Sequence, residues 1–229
     1  MRIATDNIPT IKNELRKVGI INETLINAIL AVIGKESNFK PQTENLKYTA
    51  ARIRQVWPYI DEQTANKLAN NPVALGNYVY GGKYGNIDPN DGFKFRGRGY
   101  NQITFRDQYR KFMGLLGIDF INNPDLMNDP ETAAKVNALF FKNALNANKS
   151  LIMKKYGIDI TKPIPPGTNA QTILRLAVNA NAGFGKSDTI VDNEFQKALF
   201  YFDKLREKPN FIPGIVIAGL LIGLYFTLK

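Results

Sequence analysis

Gly34–Ala50, GKESNFKPQTENLKYTA, is the stretch on which the reading of this chain turns. It sets Glu36 at the end of an apolar run and Glu44 eight residues later, beyond a turn at Pro41. Upstream, Asn22 can cap a helix starting at Glu23, in which Leu25, Ile26, Ile29, Leu30 and Ile33 recur at helical spacing. Glu36 thus falls at the C-terminal end of a helix and Glu44 in a short connector, Thr43 to Tyr48. Both carboxylates can face one cleft.

Two carboxylates in unlike surroundings suit glycosidic bond cleavage. One protonates the leaving oxygen and the other activates water on the opposite face of the sugar, with the carboxyls roughly 6.5–9.5 Å apart for inversion. Glu36 follows an apolar face, where partial desolvation favours the protonated acid. Glu44, among Gln42, Thr43 and Asn45, is expected to stay solvated and ionised.

Working outward, capping and periodicity predict further helices over Asp6–Lys17, Thr49–Val56, Glu62–Ala69, Pro72–Tyr80, Phe105–Leu116, Pro130–Leu145, Ala170–Val178 and Asp188–Arg206. Gly81–Thr104, GGKYGNIDPNDGFKFRGRGYNQIT, breaks the rhythm with turn residues and has room for a small hairpin. The fold class expected is mainly α, a lysozyme-like α+β domain with a minimal β-hairpin, over residues 1–206.

Composition narrows the chemistry. The 229 residues contain no cysteine and no histidine, which removes disulfides, thiolate nucleophiles, Cys-ligated zinc and Ser-His or Cys-His triads. Carboxylates, Lys and Tyr remain as acid and base groups. Thirty Lys and Arg against twenty Asp and Glu leave a net charge of +10. That field attracts nucleic acid, anionic lipid headgroups or an anionic bacterial wall alike. The basic residues form no dense tract, and no base-reading motif accompanies them, so no specific nucleic-acid partner is expected.

At the far end, Phe211–Leu228, FIPGIVIAGLLIGLYFTL, runs 18 residues without a charge, flanked by Lys204, Arg206 and Lys208 before it and Lys229 after it. At ~1.5 Å per residue it reaches roughly 27 Å, near the thickness of a bilayer core. Residues 207–229 are therefore expected to be a C-terminal transmembrane helix. The alternative is a buried core helix covered on every side. The N-terminal MRIATDNIPTIKNELRKVG lacks the apolar core of a secretory signal.

The motifs around the two glutamates resemble glycoside hydrolase family 19, the chitinases and phage or bacterial cell-wall lysins of the lysozyme-like superfamily. Glu36-Ser37 resembles its first catalytic motif and ENLKYTA, Glu44–Ala50, its second. NYVYGGKYGN at 77–86, DGFKFRGRGYNQIT at 91–104 and NNPDLMNDPETAAKVNALFF at 122–141 follow in order. The resemblance covers roughly Ala28 to Phe202.

It implies Glu36 as general acid, Glu44 as the base that deprotonates water, and Thr104 as the residue that holds that water. It further implies Gln102 in substrate contact, Tyr80 and Arg98 lining the cleft, and Asn179 hydrogen-bonded to sugar. Lys35 stands where many relatives carry His, and the family's Asn-Gly-Gly element reads Asn179-Ala180-Asn181, which makes Asn181 the competitor for the sugar contact.

Other readings of the same residues stay open. Tyr48, Tyr78, Tyr80, Phe93 and Phe95 can be packing residues or sugar platforms. Arg96 and Arg98 can be surface charge or partners of the glutamates, and Thr104 can cap the helix that begins at Phe105.

The activity implied is an inverting β-1,4-glycosidase on peptidoglycan, with no metal or organic cofactor. Chitin is the alternative substrate, and a lytic transglycosylase or a non-catalytic membrane-anchored virion protein the alternative roles. The expected partners are peptidoglycan or a chitin-like polysaccharide, a bilayer through Phe211–Leu228, and virion or membrane proteins. The expected location is a virion internal membrane or bacterial inner membrane, with the catalytic domain facing the wall. The positive-inside rule points the other way, since the cations precede the span.

Overall fold

A computed structural model describes residues 5–206. Their helices are α1 (Ile8–Lys17), α2 (Glu23–Ser37), α3 (Ala50–Val56), α4 (Glu62–Leu68), α5 (Pro72–Tyr80), α6 (Asp91–Lys94), α7 (Arg106–Leu116), α8 (Pro130–Ala147), α9 (Lys149–Tyr156), α10 (Ala170–Ala182) and α11 (Asp188–Arg206). A 3-10 turn, Pro124–Asn128, precedes α8.

Side chains that compete with the backbone outside helices become caps at their starts. The Asn22 side chain accepts from Leu25 N at 3.0 Å, Asn71 from Ala74 N at 3.1 Å and Asp129 from Thr132 N at 2.8 Å. These orphan donors place the starts of α2, α5 and α8 where the sequence predicts them. α6 and α9 were not expected. Their four and eight residues are too short to show a periodic apolar face.

α2 is the central element, packed against α1, α10 and α11, with Ile26, Ile29, Leu30 and Ile33 fully buried. α1, α8, α9, α10 and α11 complete this largest core. A second core of Leu46, Ile53, Ile60, Leu68, Leu75 and Val79 lies under α3–α5. A third gathers Phe95, Ile103, Tyr109, Phe112, Phe120 and Met127 around α7.

The expectation of an α+β domain with a hairpin and a membrane-spanning helix is corrected. The hairpin reduces to one antiparallel bridge, Arg98 with Ile103, joined by Arg98 N to Ile103 O at 3.1 Å and Ile103 N to Arg98 O at 2.8 Å. The neighbouring backbone groups bond elsewhere: Gly97 O accepts from Glu44 N, and Phe105 N donates to Phe95 O, each at 2.8 Å. Positive φ at Gly99 (76°) and Gln102 (52°) then closes the turn at once.

Among the described residues no helix is long and apolar enough to cross a membrane. The longest, α11, has 19 residues and carries Asp188, Asp192, Glu194, Lys197, Asp203, Lys204 and Arg206. The run Phe211–Leu228 and the boundary at 206/207 lie outside the described residues.

Candidate active site

Glu36 is delivered by the last turn of α2, which ends at Asn38 in the left-handed region (φ 48°), followed by Phe39 at φ 61°. Two non-glycine residues at positive φ are costly, and such strain persists only where the surroundings over-determine it. Here Phe39 is fully buried in the largest core, and its carbonyl accepts from Asn7 Nδ2 at 2.9 Å. The chain is thereby turned out of the helix and towards Glu44.

The Glu36 side chain is 32% exposed, and its Oε1 accepts from Lys35 Nζ at 2.5 Å and Asn181 Nδ2 at 3.0 Å. Lys35 does not point to solvent. Its side chain is 8% exposed and also bonds Glu194 of α11. Burial works against the Glu194 charge, but bonds from Lys197 and Lys35 hold its carboxyl below the usual range. Lys35, Glu36, Asn181 and Glu194 line a pocket of about 170 Å³ with Val32 and Val178.

Glu44 is held differently. Its backbone N donates to Gly97 O at 2.8 Å, Gly97 N donates to its Oε2 at 3.2 Å, and the Tyr80 hydroxyl donates to its Oε1 at 2.7 Å. Burial, reinforced by the Glu44 charge, pushes the Tyr80 phenol above its ordinary value, so Tyr80 stays a donor across neutral pH. Arg96 lies in the same region, stacked 3.8 Å from the Phe93 ring centroid, and burial, then Arg98, lowers its pKa.

The turn at 97–104 connects the two glutamates. Its first residue pairs with Glu44, while Asn101 Nδ2 donates to Asn181 Oδ1 at 2.9 Å, on the residue that bonds Glu36. The glutamates thus sit on two sides of one turn. Gln102 Nε2 donates to Gln42 O at 2.9 Å and Gly99 O at 3.2 Å, and its side chain lies over Gly97. Thr104 caps no helix, because α7 begins at Arg106 with no side-chain cap. Its hydroxyl donates to Gln102 O at 2.9 Å.

Two expected cleft residues point into the protein instead. Arg98 is 3% exposed; it bonds Asp125 Oδ1 at 2.7 Å, Lys94 O at 2.7 Å and the Tyr109 hydroxyl at 3.0 Å. It staples the turn to α7 and to the segment before α8. Asn179 is wholly buried and donates to the Tyr156 hydroxyl. Of the two asparagines, Asn181 is the one at Glu36. α10 carries the pair two residues apart, and a helix turns by 100° per residue, so only one can face the site.

In the sequence Asn101 and Gln102 offer amide groups for sugar and Lys35 marks a departure from the family, whereas Glu194, a charge on a distant helix, gives no local signal.

Two differently held carboxylates, Glu36 at the end of α2 and Glu44 in the connector that follows, thus flank a single turn bearing Gly97 and Gly99 and form the candidate site. A glycosyl hydrolase family 19 domain-containing protein of Haemophilus influenzae is 33% identical to this chain over 137 residues, which cover 58% of the chain and 68% of that protein. The chain belongs to glycosyl hydrolase family 19. No protein-family profile matches it.

Proposed function

We propose that the chain is an inverting β-1,4-glycosidase that cuts between N-acetylated amino sugars of peptidoglycan. Glu36 is the general acid and Glu44 the general base. The observation that carries this reading is the unlike holding of the two carboxylates on either side of the 97–104 turn. Glu36 is bonded by an ammonium and an amide at the end of an apolar helix. Glu44 is bonded by a backbone amide and a phenol that keeps its proton.

In this reaction Glu36 gives its proton to the glycosidic oxygen as the C1–O bond breaks. Water attacks C1 from the opposite face and yields a proton to Glu44. With its own proton directed to Gln102 O, the Thr104 hydroxyl has lone pairs free to accept from that water. Gln102 lies beside it in the turn for substrate contact. The chain's positive charge supports an anionic wall over neutral chitin as substrate.

The test is digestion of peptidoglycan and chitin oligomers by the full chain, by Glu36→Gln and by Glu44→Gln, with mass spectrometry of the products and NMR of the first anomer formed. Reducing ends of inverted configuration, reduced roughly 10²–10⁴-fold in both variants, support the proposal. Anhydro ends that survive Glu44→Gln would show a transglycosylase. Release from chitin alone would move the substrate to chitin.

A further inference from the structure

Asn137 lies on α8 with no exposure to solvent, and its Oδ1 has no partner. A buried amide with an orphaned oxygen is a poor core residue, so its other end invites an explanation. Its Nδ2 donates to Asn101 Oδ1. Asn101 Nδ2 donates to Asn181 Oδ1 at 2.9 Å, and Asn181 Nδ2 donates to Glu36 Oε1 at 3.0 Å. Three amides from α8, the 97–104 turn and α10 form one chain that ends on the carboxyl at the tip of α2.

Direction along this chain is not free. An amide side chain has a donor end and an acceptor end, and an ionised carboxylate only accepts. Glu36 therefore forces Asn181 to present its NH2, which turns the Asn181 oxygen to Asn101 and the Asn101 oxygen to Asn137. Asn137 must then donate, as it does. Lys35 Nζ reaches the same Oε1, and among the described residues no donor reaches Oε2. A proton placed on Oε1 would meet two N–H donors head on.

We propose that Asn101 and Asn137 are positioning residues that, through Asn181, reserve Glu36 Oε1 for protein donors and leave Oε2 as the oxygen that carries the proton to the leaving group. This rests on the reading of Glu36 as the acid. In the step itself the Oε2 proton passes to the glycosidic oxygen, the C1–O bond breaks, and water supplies the new C1–O bond and a proton to Glu44. The charged groups facing Glu36 are Lys35 on its own helix and Glu194 and Lys197 on α11, while α10 contributes the neutral Asn181. None of these charges changes in the test.

The test compares pH profiles of kcat and KM for wild type, Asn101→Asp, Asn137→Leu and Glu36→Gln. A carboxylate at 101 accepts from both neighbours, so Asn181 turns round and shows its oxygen to Glu36 Oε1. The acid proton is then held on Oε1, away from the substrate. Asn101→Asp is expected to lower the plateau kcat at least ~10-fold and move the alkaline limb upward, with KM within about twofold. A through-space charge alone would move the limb without lowering the plateau, and that result overturns the proposal.

Asn137→Leu keeps the volume and removes the first donor. It is expected to lower kcat about two- to fivefold, with an unchanged or higher melting temperature, because the orphaned oxygen goes with the amide. Wild-type kcat in Asn137→Leu also overturns the proposal, and this variant decides the matter if Asn101→Asp fails to fold. Full activity of Glu36→Gln would instead remove the acid assignment beneath it.

Discussion

Around Glu36 the protein is a bundle of long helices whose side chains pack on all sides. Around Glu44 it is made of short helices and turns stitched by backbone hydrogen bonds. α2, α10 and α11 pack on one another and present Lys35, Asn181 and Glu194, so the Glu36 carboxyl is placed by side-chain chemistry. Glu44 has no helix of its own. It is placed by a reciprocal pairing with Gly97 and by one phenol from the end of α5. Helices align groups several residues apart without further help, whereas a connector needs its own backbone donors and acceptors satisfied before a side chain can point anywhere.

If this comparison holds, damage to the two halves should read out differently. The largest effect is expected from Ile29→Ala, which empties fully buried volume in α2. Thermal melts should show a loss of about 2–5 kcal/mol, a drop of roughly 2–4 °C in melting temperature per kcal/mol. The remaining folded protein should keep its Tyr80–Glu44 bond.

Gly92→Ala strikes the other half. A methyl there would lie 2.4 Å from the Gly76 carbonyl oxygen and 2.7 Å from Asn77 Cα, backbone atoms that no rotamer change can clear. A loss of about 1–3 kcal/mol is expected. Hydrogen exchange should rise in α5 and around Gly97 before α2. Uniform exchange across both halves would show that the division is not real.

Tyr80→Phe removes the phenol from Glu44 and little else. Activity should fall about tenfold, a size suited to one charge-assisted hydrogen bond. Burial, before any other cause, raises the phenols of Tyr80, Tyr100 and Tyr109, the last to about 12. A raised phenol means that the unfolded chain ionises first. The stability is whole below about pH 10 and is lost as pH climbs through the folded values. Alkaline titration of stability should therefore be shallower in Tyr80→Phe than in wild type.

The smallest effect belongs to Asp129, the cap of α8, whose bond from Thr132 N lowers its pKa. Asp129→Ala should cost about 1 kcal/mol at neutral pH. The sign is that of a depressed carboxylate: the contribution is present above the ordinary range and lost as pH falls through the folded value. The two proteins should converge in stability at strongly acid pH.

Much of the long-helix half is legible in the residues. Asn22 is the cap the pattern predicts, α8 starts at Pro130 as predicted, and α11 keeps its predicted bounds. Of the loop half, α5 keeps its predicted bounds but α6 does not show in the sequence. α6 forms because the buried Asp91 carboxylate accepts from Ile87 N and Asp88 N and pairs with Arg106, which stands 15 residues on. No periodicity announces such a bond.

Arg98 shows the same limit. Its neighbours Gly97 and Gly99 suggest a cleft, yet Asp125, Lys94 and Tyr109 draw its guanidinium inward.

The residues by themselves determined the helical class and the order of the long helices and brought Glu36 and Glu44 forward as candidates, because period, caps and residue chemistry are local properties. Only the tertiary structure decided that Asn181 rather than Asn179 meets Glu36, that Lys35 turns inward to Glu194, and that Asn101 and Asn137 line up behind Glu36. Those choices depend on which face of a helix is covered by a partner distant in sequence, and a hydrogen bond between distant residues exists only once packing has brought both ends together.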